Sequence, residues 1–335
     1  MKSKYFFNII LILTVFLFSC EKEINFNGDE IKTKLVLNGI LTLDSVVKIN
    51  LTESRFFLDD YRSFKEINNA TVELWKDDNR IENLLNTGDG YYTGTYIPET
   101  GDNIRITASC EGFDQIECST AIIAPTTILS VDTINYKEER YYYNYKFSED
   151  GISEIDSSSY YTVINFDLFI TFKDPQDIPN YYDINLYLKC YFSNGDSLFL
   201  PVNYNSDDLV FRTGNEMGFL EDNDYLKSTL FNDELLDGKE YKLKIKTNNW
   251  AGISVDENPY NADSEKIKLV GTEIFLELKS LSYSYYMYQK TRDANSNMSG
   301  LIEYFSEPVQ IFSNVKGGIG ILGSYSNSVY ILPLK

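Results

Sequence analysis

Apolar and polar residues alternate along most of the chain, and this period of two constrains the fold more than any other feature of the sequence. Val47, Ile49 and Leu51 are each separated by a polar residue, and every second position from 164 to 172 is Ile, Phe or Leu. Successive side chains of a β-strand point to opposite faces, so this alternation predicts strands with one buried face. The 27 tyrosines suit such half-buried strands. We therefore predict a mainly β protein.

Turn signals divide the predicted strands into two consecutive parts. An Ala-Pro pair at 124–125 closes the first part. About ninety residues of short alternating strands are typical of an immunoglobulin-like or transthyretin-like β-sandwich. Asn194-Gly195 supplies a hairpin turn in the second part. We therefore predict a β-sandwich over residues 32–125, followed by a larger antiparallel β domain over residues 126–335 with about one helix.

One segment departs from the period of two. Residues 282–295 read SYSYYMYQKTRDAN, in which apolar side chains recur loosely at helical spacing. Ser282 can cap the N-terminus of a helix, and Lys290 and Arg292 near the other end suit the helix dipole. We predict a helix here, with its aromatic side chains packed on a sheet.

The first twenty residues, MKSKYFFNIILILTVFLFSC, predict a secretory signal. Lys2 and Lys4 form a basic start, an uncharged run follows, and the small residue Ser19 precedes Cys20. The apolar run is shorter than the roughly 20 residues that a membrane-spanning helix needs. We therefore predict that residues 1–19 are a signal peptide.

The end of this signal, LFSC at 17–20, resembles the lipobox of bacterial lipoproteins. In such proteins the cysteine is acylated and the signal is cut before it, so the resemblance implies lipidation of Cys20. Two or more acyl chains anchor a protein stably. Residues 20–31 are polar and then form a lipidated tether. The alternative is an ordinary secretory signal that happens to end near a cysteine.

Three further cysteines follow in the mature chain. Cys110 and Cys118 lie on the apolar side of a predicted hairpin, with its turn at 111–114. In an oxidising compartment they could form a disulfide, or they could remain two buried free thiols, and the sequence leaves both alternatives open. Cys190 lies on an apolar strand face, so we predict an inert core residue rather than a nucleophile.

The letters GxGxxG occur at 318–323 as GIGILG, which is the pattern of a dinucleotide-binding loop. Such a loop follows a strand, opens a helix and has an acidic residue about 20 positions further on. The residues after Gly323 include no acidic side chain and have the pattern of a strand. We therefore predict a strand whose glycines permit a bulge or close packing, and no nucleotide ligand.

Charge and the lack of histidine argue against several functions. With 50 acidic and 30 basic residues the net charge is -20, so the surface should repel nucleic acid. The absence of histidine removes the commonest general base and zinc ligand. Acidic pairs such as Asp77-Asp78 lack the ligand spacing of an EF-hand loop, so solvated loops are expected rather than calcium sites. We expect no catalytic residues, no metal and no cofactor.

Several stretches together resemble one family. They are LFSC-EKE at 17–23, NATVELWKDD at 69–78, GYYTG at 90–94, GFDQIECSTAIIAP at 112–125, LKSLSYSYYMYQ at 278–289 and FSNVKGGIGILGSYS at 312–326. The chain is similar in these stretches to a family of Bacteroidota outer-membrane lipoproteins, the domain of unknown function 4249. No catalytic residues are established for that family, so the resemblance assigns none to this chain.

The resemblance implies a location and a partner. Members of the family tend to be encoded beside TonB-dependent outer-membrane transporters, so it implies a non-enzymatic accessory lipoprotein of such a transporter. The protein is then held on the outer membrane by its lipid anchor, facing the cell exterior. The alternative is a surface adhesin or glycan-binding protein, in which exposed tyrosines stack on sugars. The run containing Tyr141, Tyr142, Tyr143 and Tyr145 would supply the contacts.

Overall fold

The strands predicted from the period of two form in the computed structural model, which describes residues 32–55, 64–142, 146–147, 153–154, 160–211, 228–247, 255–256, 269–296 and 310–334. The first strands are β1 (Leu35–Leu41), β2 (Lys48–Glu53), β3 (Thr71–Lys76), β4 (Asn79–Asn83), β5 (Leu85–Gly88), β6 (Tyr91–Thr93), β7 (Asn103–Ser109) and β8 (Ile116–Ala121).

The later elements are β9 (Ile128–Tyr142), β10 (Lys146–Phe147), β11 (Ser153–Glu154), β12 (Tyr160–Lys173), β13 (Tyr181–Phe192), β14 (Ser197–Pro201), β15 (Tyr204–Asn205), β16 (Leu230–Asn232), β17 (Glu240–Thr247), β18 (Val255–Asp256), β19 (Leu269–Leu281), helix α1 (Tyr283–Ser296) and β20 (Ile319–Leu334). A short 3-10 helix spans Leu209–Phe211. The protein is thus mainly β with one α-helix in these ranges, which confirms the predicted fold class.

The first half forms a β-sandwich. One layer is a sheet of order β4-β3-β7-β8, and the other contains β1, β2, β6 and β5 as neighbours at one end of a nine-stranded sheet. Leu37 of β1, Leu74 of β3 and Ile106 of β7 are fully buried in one hydrophobic cluster between the layers. Each of these residues belongs to the apolar set of an alternating strand, so the period of two explains which faces meet.

The second half has its own core. Strands β14, β13, β19 and β20 form the other end of the nine-stranded sheet, and a second sheet has the order β15-β17-β12-β18 with β9 also paired to β12. Leu168 of β12, Leu188 of β13 and Leu276 of β19 are fully buried in the cluster between them. The alternating run from 164 to 172 therefore supplies one wall of this core.

The last strand belongs to both halves. From Ile319 to Ser324, β20 pairs in parallel with β1, and from Tyr325 to Leu334 it pairs in antiparallel fashion with β19. Leu322 is buried in the core of the first sandwich. The chain from Thr33 onward accordingly forms one compact unit. A boundary near residue 125 separates β8 from β9 along the chain, but β20 crosses it in space.

Two glycines of the GxGxxG stretch, Gly320 and Gly323, lie in this last strand, and Gly318 directly precedes it. Gly320 has a φ of +118°, and a Cβ at that position would overlap the carbonyl oxygen of Leu37 on β1. At Gly323 a Cβ would lie 2.7 Å from the Cβ of Tyr285 on α1. The predicted strand with closely packed glycines is confirmed, since the missing side chains allow β20 to approach both neighbours.

Helix α1 begins one residue after the predicted cap. The Oγ of Ser282 accepts a hydrogen bond from the Tyr285 N–H at 3.4 Å, and the Tyr286 N–H donates to the Ser282 carbonyl at 2.9 Å. The same Oγ accepts a bond from the N–H of Ser324 at 3.0 Å. Ser282 therefore both caps the helix and ties it to β20, which confirms the predicted helix.

Candidate interaction surface

The outward side chains of β13, β14, β19 and β20 form a face rich in aromatic residues. Even-numbered positions of β13 and β19 point into the core, and most odd-numbered positions point outward. We call the outward group of Tyr187, Phe199, Phe275, Val329 and Ile331 the aromatic face. Phe199 is 47% exposed, Val329 46% and Ile331 51%, while Tyr187 and Phe275 are half-buried. Large apolar side chains thus reach solvent together on one sheet.

Strand register aligns part of the aromatic face in a row. Tyr187 lies opposite Pro201 on one side and Phe275 on the other, and Phe275 lies opposite Ile331. Neighbouring strands are about 4.8 Å apart, so this row spans about 14 Å across four strands. Phe199 lies one row away, and its ring packs edge-on against Phe275 with centroids 5.5 Å apart. The row is therefore a continuous apolar strip.

Charged side chains border the strip on both sides. On one side, the Lys189 ammonium lies 5.3 Å from the ring centroid of Phe199, and the Tyr191 hydroxyl donates to Glu273 Oε2 at 2.5 Å. On the other side, Lys279 Nζ lies 3.8 Å from Glu277 Oε2. Both signs of charge alternate around the apolar strip, an arrangement common at protein interfaces with a polar rim.

Helix α1 covers one end of the same sheet face. The rings of Tyr181 and Tyr286 stack at 4.7 Å, and those of Tyr285 and Tyr325 stack at 6.0 Å. Leu281 at this end is almost fully buried. The aromatic face is the part of the sheet that the helix leaves open.

The outward face of the opposite sheet has a different character. Three lysines alternate along β17, and each forms an ion pair with an aspartate: Lys242 with Asp132 at 4.0 Å, Lys244 with Asp167 at 3.6 Å and Lys246 with Asp207 at 2.6 Å. The outward face of the opposite sheet thus carries ion-paired lysines along β17, whereas the sheet of β13 and β19 carries the apolar strip.

Of the four tyrosines predicted as ligand contacts, the two that the structure describes lie outside the aromatic face. Tyr141 and Tyr142 end β9, where their backbones pair with Tyr161 and Tyr160 of β12. Tyr143 and Tyr145 lie outside the described residues, as does the lipidation residue Cys20. The prediction of sugar stacking at this run therefore stays a prediction.

Cys110 and Cys118 are free thiols in the structure, and Cys118 is buried while Cys110 is half-buried. Cys118 lies opposite Ile106 in the hairpin of β7 and β8, and Cys110 follows β7 near the turn. Four residues of strand separate Ile106 from Cys110, or about 13 Å. A disulfide needs Cα atoms within about 7 Å, so this register keeps the thiols apart. Cys190 is buried in the second core, as expected.

Among the residues that the structure describes, Asp174 is the most buried carboxylate. Asp174 is 1% exposed, accepts a hydrogen bond from the Tyr182 hydroxyl, and accepts another from the Gly238 N–H at 3.0 Å. Burial raises the pKa of Asp174 and of Tyr182. Within the described ranges, no group of three or more Cys, Asp or Glu side chains could hold a metal ion.

Sequence reasoning overlooked the aromatic face, although a signal for it existed. Tyr187 stands between Leu186 and Leu188, and Phe275 stands between Ile274 and Leu276. Apolar residues at consecutive positions of a strand place apolar side chains on both faces of the sheet. An aromatic residue on the outward side of an otherwise alternating strand therefore indicates an exposed apolar surface.

Comparisons with known proteins give a family but no activity. A family model described as a domain of unknown function (DUF4249) matches residues 21–331. No curated protein matches the chain. A crystal structure of a protein described as membrane anchored, from Corynebacterium diphtheriae, is 10% identical with a TM-score of 0.20. The match covers 75% of this chain and 55% of that one, so the chain spans about half of that protein.

In the part of the chain that the structure describes, no helix is long and apolar enough to cross a bilayer.

Proposed function

Because the chain belongs to the DUF4249 family, whose function is unknown, we propose that it is a non-enzymatic, lipid-anchored accessory protein of a TonB-dependent transporter on the outer membrane of the Bacteroidota. Cys20 carries the acyl chains, residues 20–31 form the tether, and the body that starts near Thr33 faces the cell exterior. The family match begins at residue 21, directly after the proposed lipidation site.

The observation that carries this proposal is the aromatic face. An enzyme needs convergent polar groups in a cleft, whereas an apolar strip with a charged border suits the binding of another protein. Monomeric proteins rarely expose large contiguous apolar patches without a function for them. Phe199, Val329 and Ile331 are each about half exposed on one sheet, which supports a binding role.

The tether adds to what a modest binding surface can achieve. A protein held to the same membrane as its partner meets that partner at a high effective concentration. Weak contacts then suffice for a stable assembly. This favours an accessory role beside a membrane transporter over a role as a freely diffusing binder.

The proposal is tested by purifying the tagged protein from outer membranes in mild detergent and identifying the co-purifying proteins. We expect an outer-membrane transporter in the eluate and an acylated N-terminal peptide at Cys20 by mass spectrometry. The matched control is Cys20→Ser, which removes the acylated thiol while leaving the body unchanged. Recovery of the wild-type protein without acyl chains, or without any barrel partner, would contradict the proposal.

Glycan binding is the second candidate. The exposed ring of Phe199 is an observation in its favour, because aromatic rings stack on sugars as well as on side chains. Binding of the pure protein to surface polysaccharides, with loss of binding in Phe199→Ala, would favour this candidate over the transporter role.

A further inference from the structure

The two central strands of the aromatic face carry complementary side chains at equal heights. Lys189 of β13 lies opposite Glu273 of β19, and Tyr187 lies opposite Phe275. One strand thus offers a cation and an aromatic ring where its neighbour offers an anion and an aromatic ring.

This register has a consequence for a second copy of the chain. Let the aromatic faces of two copies meet, with a two-fold axis in the plane between the two sheets, parallel to the strands and midway between β13 and β19. Rotation about this axis places β13 of one copy over β19 of the other, without a shift along the strand direction. Each outward residue of these two strands then faces a residue of the second copy, and that residue is the same one that lies opposite it on the neighbouring strand of its own chain. Lys189 therefore faces Glu273 of the second copy, and Tyr187 faces Phe275. Such an isologous contact makes each pairing twice.

The outer strands obey the same symmetry. The axis exchanges β14 with β20, so Pro201 faces Ile331 of the second copy, and the next row brings Phe199 over Pro333. Two packed sheets align their strands to within about 30°, so the pairs nearest the axis fit best and those at the corners less well. The central pairs are therefore the ones that should matter most.

We propose that the aromatic face binds a second copy of this chain, giving a face-to-face homodimer with Lys189 and Glu273 paired across the two-fold axis. This inference rests on the proposed function in one respect, that the face is a protein-binding surface.

Charge favours a second copy as the occupant. Among the residues that the structure describes, no carboxylate lies within ion-pair distance of Lys189, whose ammonium lies over the rings of Tyr191 and Phe199. A second copy brings Glu273 to it, and it brings Lys189 in turn to the other Glu273. An anionic lipid surface offers a partner to the lysine but repels the glutamate.

Size sets the strength of this dimer. Four strands and three rows cover on the order of 400 Å² per copy, about half of the ~800 Å² that each partner buries in a standard interface. The net charge of -20 on each copy also opposes association. The dimer is therefore weak in free solution, and the lipid tether, which confines both copies to one membrane, supplies the concentration that it needs.

The experiment is sedimentation equilibrium of the mature chain from residue 21 onward, made without the leader and Cys20 so that neither the apolar leader nor acyl chains associate by themselves, from about ten micromolar to about one millimolar. We expect a monomer and dimer in exchange. Lys189→Glu alone and Glu273→Lys alone each place like charges across the axis, so each should raise the dissociation constant at least about tenfold.

Mixing the two single variants is the decisive step. One chain then carries glutamate at both positions and the other carries lysine at both, so their heterodimer restores two opposite-charge pairs. We expect the mixture to associate about as well as the wild type. An effect confined to one chain cannot be rescued in this way, because each variant keeps its own like-charged pair.

Lys242→Glu is the matched control, since it makes the same charge change on the opposite sheet, where Lys242 lies over Phe169 as Lys189 lies over Phe199. It should leave association unchanged, and all variants should keep the wild-type circular dichroism spectrum. A wild type that stays monomeric throughout, or equal weakening by Lys242→Glu, would overturn the dimer. Co-purification of a transporter is measured in a separate experiment. If the protein is monomeric in sedimentation but still co-purifies with an outer-membrane transporter, the dimer is excluded while the proposed function is supported.

Discussion

Gly323 lies directly beneath Tyr285, so that a Cβ at Gly323 would stand 2.7 Å from the Cβ of Tyr285 and 3.2 Å from its Cα. The helix therefore packs against the backbone of β20 rather than against a side chain. The Cβ and Cα atoms of Tyr285 are fixed by the helix backbone and cannot rotate away like the end of a flexible side chain. The helix itself would therefore have to move to admit a methyl group at Gly323.

We predict that Gly323→Ala lowers the free energy of unfolding by about 1–3 kcal/mol, because overpacking forces the helix away from the sheet. Gly271→Ala is the control, since a Cβ at Gly271 on β19 meets only Tyr191 Cδ2, at 3.9 Å. That variant should stay within about 0.5 kcal/mol of the wild type. Urea unfolding followed by circular dichroism measures both, and equal stability of the two variants would contradict the packing argument.

Ser282→Ala should destabilise the protein by about 1–3 kcal/mol, because it leaves buried donors at Tyr285 and Ser324 without their acceptor. Ser282 is 2% exposed, so water cannot easily replace the lost oxygen. Hydrogen exchange should accelerate at the amides of Tyr285 and Ser324. Ser197→Ala, at an exposed position of β14, should change neither stability nor exchange at those amides.

Asp102 should stabilise the first sandwich in a pH-dependent manner. Burial by itself raises the pKa of Asp102, but hydrogen bonds from Lys76, the Glu99 N–H and Tyr96 outweigh it and lower this pKa below its ordinary value of 3.8. The stabilisation is present above that value and disappears as the pH falls through the lower pKa of the folded state. The stability difference between the wild type and Asp102→Asn, from urea unfolding, should therefore shrink as the pH falls from about 5 through 3.8 and below.

Asp174 should show the opposite dependence. Burial raises its pKa in the folded state, so the folded protein binds a proton more readily than the unfolded chain does. The contribution of Asp174 to the free energy of unfolding is therefore largest at acidic pH, and it is lost as the pH rises through the raised pKa. The stability of the wild type relative to Asp174→Asn should increase as the pH falls through the raised pKa of the folded state toward 3.8. A parallel trend for the two aspartates would show that one of these environments is misassigned.

The thiols should react with an alkylating reagent in order of their burial. Burial raises the pKa of Cys118 to about 12 and that of Cys190 to about 11, so both should remain unlabelled in the folded protein. The pKa of half-buried Cys110 is also raised by burial, but its sulfur is the more accessible and should be labelled first, though slowly. Mass spectrometry of peptides from protein made in an oxidising compartment would refute this geometry if it found Cys110 linked to Cys118.

Local patterns in the sequence predicted those parts of the fold that local physics determines. The alternation over 164–172 gives β12, and Ser282 marks the start of α1, because burial of one strand face and capping of a helix each depend on a few neighbouring residues. The same patterns predicted that residues near 319–334 form a strand.

These local patterns do not predict which strands pair when the strands are far apart in the sequence. Nothing near Leu322 indicates that it is buried beside β1 rather than in the second half, since partner choice between strands is set by the whole sheet. The separation of Cys110 from Cys118 depends on hairpin register, which the thiol positions alone do not reveal. The aromatic face was not predicted because the alternation identifies the buried side of β13 and β19, whereas Tyr187 and Phe275 lie on the opposite side of the sheet.

Because the two halves share β20, the order of synthesis determines when each half can complete its fold. The ribosome adds residues 319–334 after both halves have been made, and until then β1 has an open edge where its parallel neighbour belongs. The first sandwich therefore cannot be completed until the last strand has been made. A product that stops before residue 319 keeps an unpaired edge at β1, and such an edge can pair with another chain.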